Sequence, residues 1–168
     1  SSSSAASDVY KRQLSYIADL TAAPPVDGDI RHALDLLLFA GNLAENLDED
    51  MVSADHVRRV HGEIYHLITT EDILDLPDEE KLVLLAVART LKARRTPYVS
   101  LREIRLAYQE LAKELGVKPL ENIEDPAQGL IDRGIVDMKA LNRIGISGVS
   151  AEDLGRFIGN IVERVKGE

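Results

Sequence analysis

Apolar residues recur along this chain at helical spacing, in blocks separated by glycine, proline and acidic runs. The first block, Leu14, Ile17, Ala18 and Leu20, predicts one short helix that ends at Pro24 and Pro25. Gly28 and Asp29 open a second helix, with Asp29 as candidate N-cap. There Ile30, Ala33, Leu34, Leu37, Leu38 and Gly41 follow the helical period, and Leu36 and Phe39 widen the stripe, so both flanks are expected to be buried. After the acidic loop Asp48-Glu49-Asp50, Ser53 caps a third helix carrying Val57, Val60, Ile64 and Leu67. Ile73, Leu74 and Leu76 then lead to Pro77, a boundary between two small bodies. Three helices with short connections make a compact bundle up to that point.

The second body begins with Glu79 to Lys92, whose run LVLLAVA is the most apolar in the chain, and Pro97 breaks it. Ser100 and Glu103 have capping-box spacing for a helix striped by Ile104, Tyr108, Leu111 and Leu115 and stopped at Gly116. Asp125, Pro126 and Gln128 mark a third, short helix closed by Gly134. Ile135 to Met138 and Ile144 to Ile146 predict two strands joined by a turn through Asn142. Ser150 with Asp153 starts a last helix carrying Leu154, Phe157, Ile158, Ile161, Val162 and Val165. Three helices followed by a β-hairpin is the order of a winged helix, here with an added C-terminal helix. The predicted class is mainly α: a three-helix bundle over 14–75, then a winged-helix domain over 76–168.

Composition narrows the function more than the fold. The 168 residues suffice for one domain or two small ones, and aromatics at 4% favour helix-on-helix packing over a large sheet. The absence of cysteine excludes disulfides and cysteine-based zinc sites and fits a reducing cytoplasm. No apolar run approaches the length of a membrane span. A net charge of −9 argues against a non-specific polyanion binder but leaves room for a local basic face.

Residues 1–13 look foreign to the fold. The string SSAASDVYKRQ, Ser3 to Gln13, resembles the in-frame translation of a transposase adapter used to prepare sequencing libraries. On that reading the segment is a disordered appendage, Leu14 is the first natural residue, and upstream domains have been lost.

The sharpest candidate chemistry is Arg31. A guanidinium in the first turn of a helix sits beside unpartnered N–H groups at the positive end of the dipole, where it can hold two oxygens of one phosphoryl group. Spacing alone favours an ordinary pair with Asp35, one turn on. His56, His61 and His66 recur every five residues, so they fan around their helix and lack the i, i+4 pairing of helical zinc ligands. Arg89, Lys92, Arg94, Arg95, Arg102 and Arg105 form the one basic concentration, open to a reading as phosphate contacts or as a solvated face. No carboxylate pair, serine–histidine arrangement or metal cluster suggests independent catalysis.

The motif GDIRHALDLL is similar to the second-sensor helix of AAA+ ATPases. Followed by LPDEEKLVLLAVA, YVSLREIRLAYQELAKELGVKPL and LIDRGIVDM, it resembles archaeal replication initiators of the origin-recognition-complex and cell-division-cycle type, from about Leu14 to Ile146. The resemblance implies an ATP-sensing lid with Arg31 as sensor. It also implies a winged helix on double-stranded origin DNA, a role in loading the replicative helicase, and a cytoplasmic, nucleoid-associated protein. ATP or ADP with Mg would be held by an upstream core, since no G-x-x-x-x-G-K-[ST] occurs here. The intact protein is then an AAA+ ATPase and this portion alone is no enzyme.

Candidate DNA contacts are Arg89, Lys92, Arg94, Arg95, Arg102, Gln128, Arg133, Lys139 and Arg143. The recognition helix departs from the family pattern, because Glu121, Glu124 and Asp125 stand where relatives place basic residues. The hairpin is also short, where relatives often carry a longer glycine- and arginine-rich tip. Two alternatives stay open: a winged helix that docks protein instead of DNA, or a stand-alone winged-helix transcriptional regulator. A steep linear salt dependence marks phosphate contacts, and a Walker A motif in frame upstream would exclude the regulator.

Overall fold

The computed structural model describes residues 2–167, with side-chain surroundings for 11–164; Ser1 and the side chain of Val165 lie outside the described residues. In order, the helices are α1 (Ser2–Ala22), α2 (Ile30–Asn46), α3 (Ala54–Tyr65), α4 (Thr70–Leu74), α5 (Asp78–Arg94), α6 (Leu101–Leu115) and α7 (Glu124–Asp132). The hairpin β1 (Asp137–Ala140) and β2 (Arg143–Gly145) follows, and then α8 (Ala151–Gly167).

Two hydrophobic cores form. The first joins Tyr16, Ile17 and Leu20 of α1 to Leu36 and Ala40 of α2 and to Ala54, Val57 and Val60 at the start and along the face of α3. Helix α1 runs from Ser2 through the segment expected to be an appendage, and Gln13 is buried at 5% exposure. Alanine, lysine, arginine and glutamine propagate a helix readily once its apolar face is docked. The expectation that both flanks of α2 are buried is corrected. His32, Leu36, Ala40 and Ala44 point inward, whereas Ile30, Leu34, Leu38 and Phe39 stay exposed. Both α1 and α3 pack on one side of α2, so only one flank is covered.

The second core is built around α5. Every residue from Val83 to Ala88 is buried, as a helix apolar on all sides requires, because α6, α7 and α8 all pack on it. This core also takes in Ile73 from α4, a short helix the periodicity did not predict. Thr69 and Asp72 close that helix with a reciprocal capping box. At α6 only half of the expected box forms: Ser100 Oγ accepts from Glu103 N at 3.1 Å, while the Glu103 carboxylate pairs with Arg94.

The hairpin pairs Asp137 with Gly145 and Met138 with Ile144, then slips at a bulge so that Ala140 faces Arg143. It starts two residues later than expected because Ile135 and Val136, after Gly134 at φ +76°, turn into the core. Val99 extends the sheet through a reciprocal pair of 2.9 Å bonds with Ile144.

Candidate functional site

Arg31 stands at the entrance to α2. Gly28 at φ +84° makes the turn, and the Asp29 carboxylate accepts from Arg31 N at 2.9 Å, which caps the helix. The Arg31 side chain is exposed, and among the described residues no ion pair joins it to Asp35. The pairing that spacing favoured is therefore not formed. On one side of Arg31 lies the exposed apolar row Ile30, Leu34 and Leu38.

On the other side His32 is buried against His61 and Tyr65 of α3, with ring centroids 5.8 and 4.8 Å away. His32 Nε2 and His61 Nδ1 have no hydrogen-bond partner among the described residues. Burial, with a smaller push from His32, lowers the His61 pKa from 6.5 to about 4. A folded-state pKa below the unfolded one means that stability is full above about pH 6.5 and is lost as pH falls toward 4. Melting temperature measured against pH should therefore decline across that window in the wild type. The decline should flatten in His61→Phe.

His56 takes part in the α3 capping box with Ser53, and its Nε2 lies 2.8 Å from Glu49. His66 ends the helix in a left-handed conformation. The three histidines diverge as their spacing requires, and no metal-binding group of three or more His, Cys, Asp or Glu occurs among the described residues.

A clasp that the sequence did not reveal ties the first body to the second. Arg58 of α3 is 1% exposed, yet each of its three guanidinium nitrogens finds a partner. Its Nε donates to Ile146 O at 3.1 Å, and its Nη2 donates to Thr96 O at 2.7 Å and Pro97 O at 3.1 Å. Its Nη1 meets Asp55 at 3.2 Å. Asp55 also accepts from the first N–H groups of α8, Ala151 and Glu152. Tyr16 OH donates to the same Ile146 carbonyl at 3.2 Å. On the far side a single oxygen of Asp19 accepts from Tyr98 OH at 2.8 Å and Arg143 at 3.1 Å, with Lys139 at 3.4 Å. Both cations lie over the Tyr98 ring. Burial first, then the Asp19 hydrogen bond, raises the Tyr98 pKa, so the phenol stays a donor. The one signal available in sequence was a cation set into the apolar flank of α3, between Val57 and Val60.

The predicted DNA contacts do not gather into one bare basic face. Arg89 pairs with Glu114 at 2.9 Å, Lys92 with Glu152 at 3.6 Å and Arg94 with Glu103 at 3.7 Å. Arg133, itself exposed, pairs with the buried Glu80 at 3.0 Å, and Gln128 donates to Asp132 at 2.8 Å. Lys139 and Arg143 come together, but at Asp19. Arg95, which ends α5 at φ 56°, and Arg102 are exposed at the turn between α5 and α6. The outward face of α7 carries Glu124, Asp125 and Asp132, with Arg105 of α6 paired to Glu124.

Comparison with known proteins gives this arrangement a family. Residues 4–62 match the family described as Cdc6 AAA+ ATPase-type lid domain, and residues 71–144 match the CDC6 C-terminal winged helix domain. The ORC1-type DNA replication protein 1 of Sulfolobus acidocaldarius is 34% identical over 118 residues, which are 69% of this chain and 29% of the relative. The corresponding protein of Methanothermobacter thermautotrophicus is 38% identical over 87 residues, 52% of this chain and 22% of the relative. The crystal structure of Cdc6p from Pyrobaculum aerophilum superimposes with a TM-score of 0.75 at 29% identity, over 89% of this chain and 41% of that one. The chain thus spans 29% of the length of the Sulfolobus relative. With its lid followed by its winged helix, the chain belongs to the Cdc6/ORC1-type family of replication proteins.

Proposed function

We propose that this chain is the nucleotide-responsive and DNA-directed part of a replication initiator, with the lid over 14–75 and the winged helix over 76–168. The observation that carries the reading is Arg31, exposed in the first turn of α2 and held by no acid among the described residues. Its guanidinium and the neighbouring N–H groups fit the terminal phosphate of ATP held, with Mg, by a nucleotide-binding core elsewhere in the intact protein. The bound triphosphate supplies concentrated negative charge there. The exposed row Ile30, Leu34 and Leu38 beside Arg31 suits docking of that core.

A change in how the lid engages nucleotide would then pass through Arg58, Asp55 and Asp19 to the winged helix. The winged helix meets origin DNA through Arg95 and Arg102, which leave phosphate contacts without base reading. Helicase loading and a cytoplasmic, nucleoid-associated location follow from the same reading. The acidic outer face of α7 favours a second reading, in which the winged helix also docks protein.

The test is Arg31→Ala in the intact gene product. ATP affinity should fall about tenfold, the worth of one charge-assisted contact, with an unchanged melting temperature because the side chain is exposed. Unaltered discrimination between ATP and ADP would remove the sensor from the account.

A further inference from the structure

The surface that α7 and the hairpin present together combines an apolar groove with an acidic margin. Met138 is 40% exposed and Leu141 67% exposed, side chains that a free surface gains nothing by displaying. Behind them lies a cavity of about 210 Å³ whose apolar lining includes Leu101, Ala127, Ile131 and Val136. That volume is below the ~300–1,000 Å³ of a small-molecule site, and it suits apolar side chains entering from a partner.

The margin is negative, with Glu121, Asp125 and Asp132 exposed along α7 and just before it, and Glu124 paired to Arg105. Most nearby cations are paired with a carboxylate, Arg133 with Glu80, Lys139 and Arg143 with Asp19, and Arg105 with Glu124, while Arg102 beside Leu101 stays exposed. Nucleic-acid phosphate would meet carboxylates here with no released counterion to offset them. An apolar ridge flanked by lysine or arginine meets both halves of the surface at once.

We propose that the α7–hairpin face docks a basic amphipathic helix of a protein partner. The inference deepens the second reading above and rests on the winged-helix fold, not on Arg31, so the two can fail separately.

The test uses the full 168-residue chain and a fluorescein-labelled synthetic helix with leucine on one face and lysine on the other. The comparison probes are the same residues scrambled so that no face is apolar, the helix with glutamate in place of lysine, and duplex DNA. The leucine–lysine helix should bind about tenfold more tightly than either peptide control, and Leu141→Asp and Asp125→Lys should each weaken it about tenfold. Both positions are exposed, so the fold tolerates the changes, and hydrogen exchange should show protection confined to α7 and the hairpin. Equal binding of the scrambled peptide, indifference to both substitutions, or duplex DNA protecting this face in the peptide's place would each overturn the proposal.

Discussion

Arg58→Leu should lower the unfolding free energy by about 3–5 kcal/mol, the range seen when one partner of a buried charged network is removed. Leucine fills part of the space but donates nothing. The carbonyls of Thr96 and Pro97 would lose that donor, Ile146 would keep only Tyr16 OH, and Asp55 would lose its guanidinium. Each buried acceptor stripped of its partner carries a penalty of about 1–3 kcal/mol. Those carbonyls belong to the second body and Arg58 to the first, so the loss should appear as separation of the two cores as well as reduced stability. Urea denaturation checks both, since a two-step transition in the variant would replace one cooperative step in the wild type. Arg58→Lys should recover only a minor part, because an ammonium cannot span three carbonyls in a planar fork.

Gly62→Ala should be the next most damaging change, at about 1–3 kcal/mol for overpacking a closed contact. A Cβ on Gly62 would overlap the carbonyl of Gly148 and crowd Val149 N at 3.2 Å, and backbone on both sides leaves nothing flexible to yield. Helix α3 would have to lift from the loop that leads into α8, which strains the Arg58–Ile146 and Asp55–Ala151 bonds together. Gly41→Ala is the control. Its Cβ meets nothing within 4 Å, and in the helix interior alanine should be neutral or stabilising by about 0.5–1 kcal/mol. Thermal melts of the two variants should therefore move in opposite directions.

What the sequence made legible was local. Ser53 and Ser100 cap the helices their positions announced, Gly116 ends α6 in the left-handed conformation, and LVLLAVA lies at the centre of the second core. These features depend on a few neighbouring residues and on the helical period. Side-chain destinations across the chain were not legible. The period of α2 marks Ile30, Leu34 and Leu38 as apolar, but only the placement of α1 and α3 decides that this flank stays uncovered. Clustered in sequence, Arg89, Lys92 and Arg94 suggested a basic face. In three dimensions each finds a carboxylate 9 to 60 positions away, and the cluster dissolves into pairs. Asp19 gave no sign of its role, because its partners Tyr98, Lys139 and Arg143 are distant in the chain.

On the proposed function, lid and winged helix move as one lever, fastened by Arg58, Asp55 and Asp19. These 168 residues hold no cysteine, so once any cysteine in the rest of the intact protein is replaced, spin labels can be placed at Asn42→Cys on α2 and Gln109→Cys on α6, both exposed. Pulsed electron paramagnetic resonance on the intact protein then reads the distance between the two bodies with ATP and with ADP. A single narrow distance that is the same in both nucleotide states is the predicted result. A distance that broadens or shifts when ATP is exchanged for ADP would contradict it.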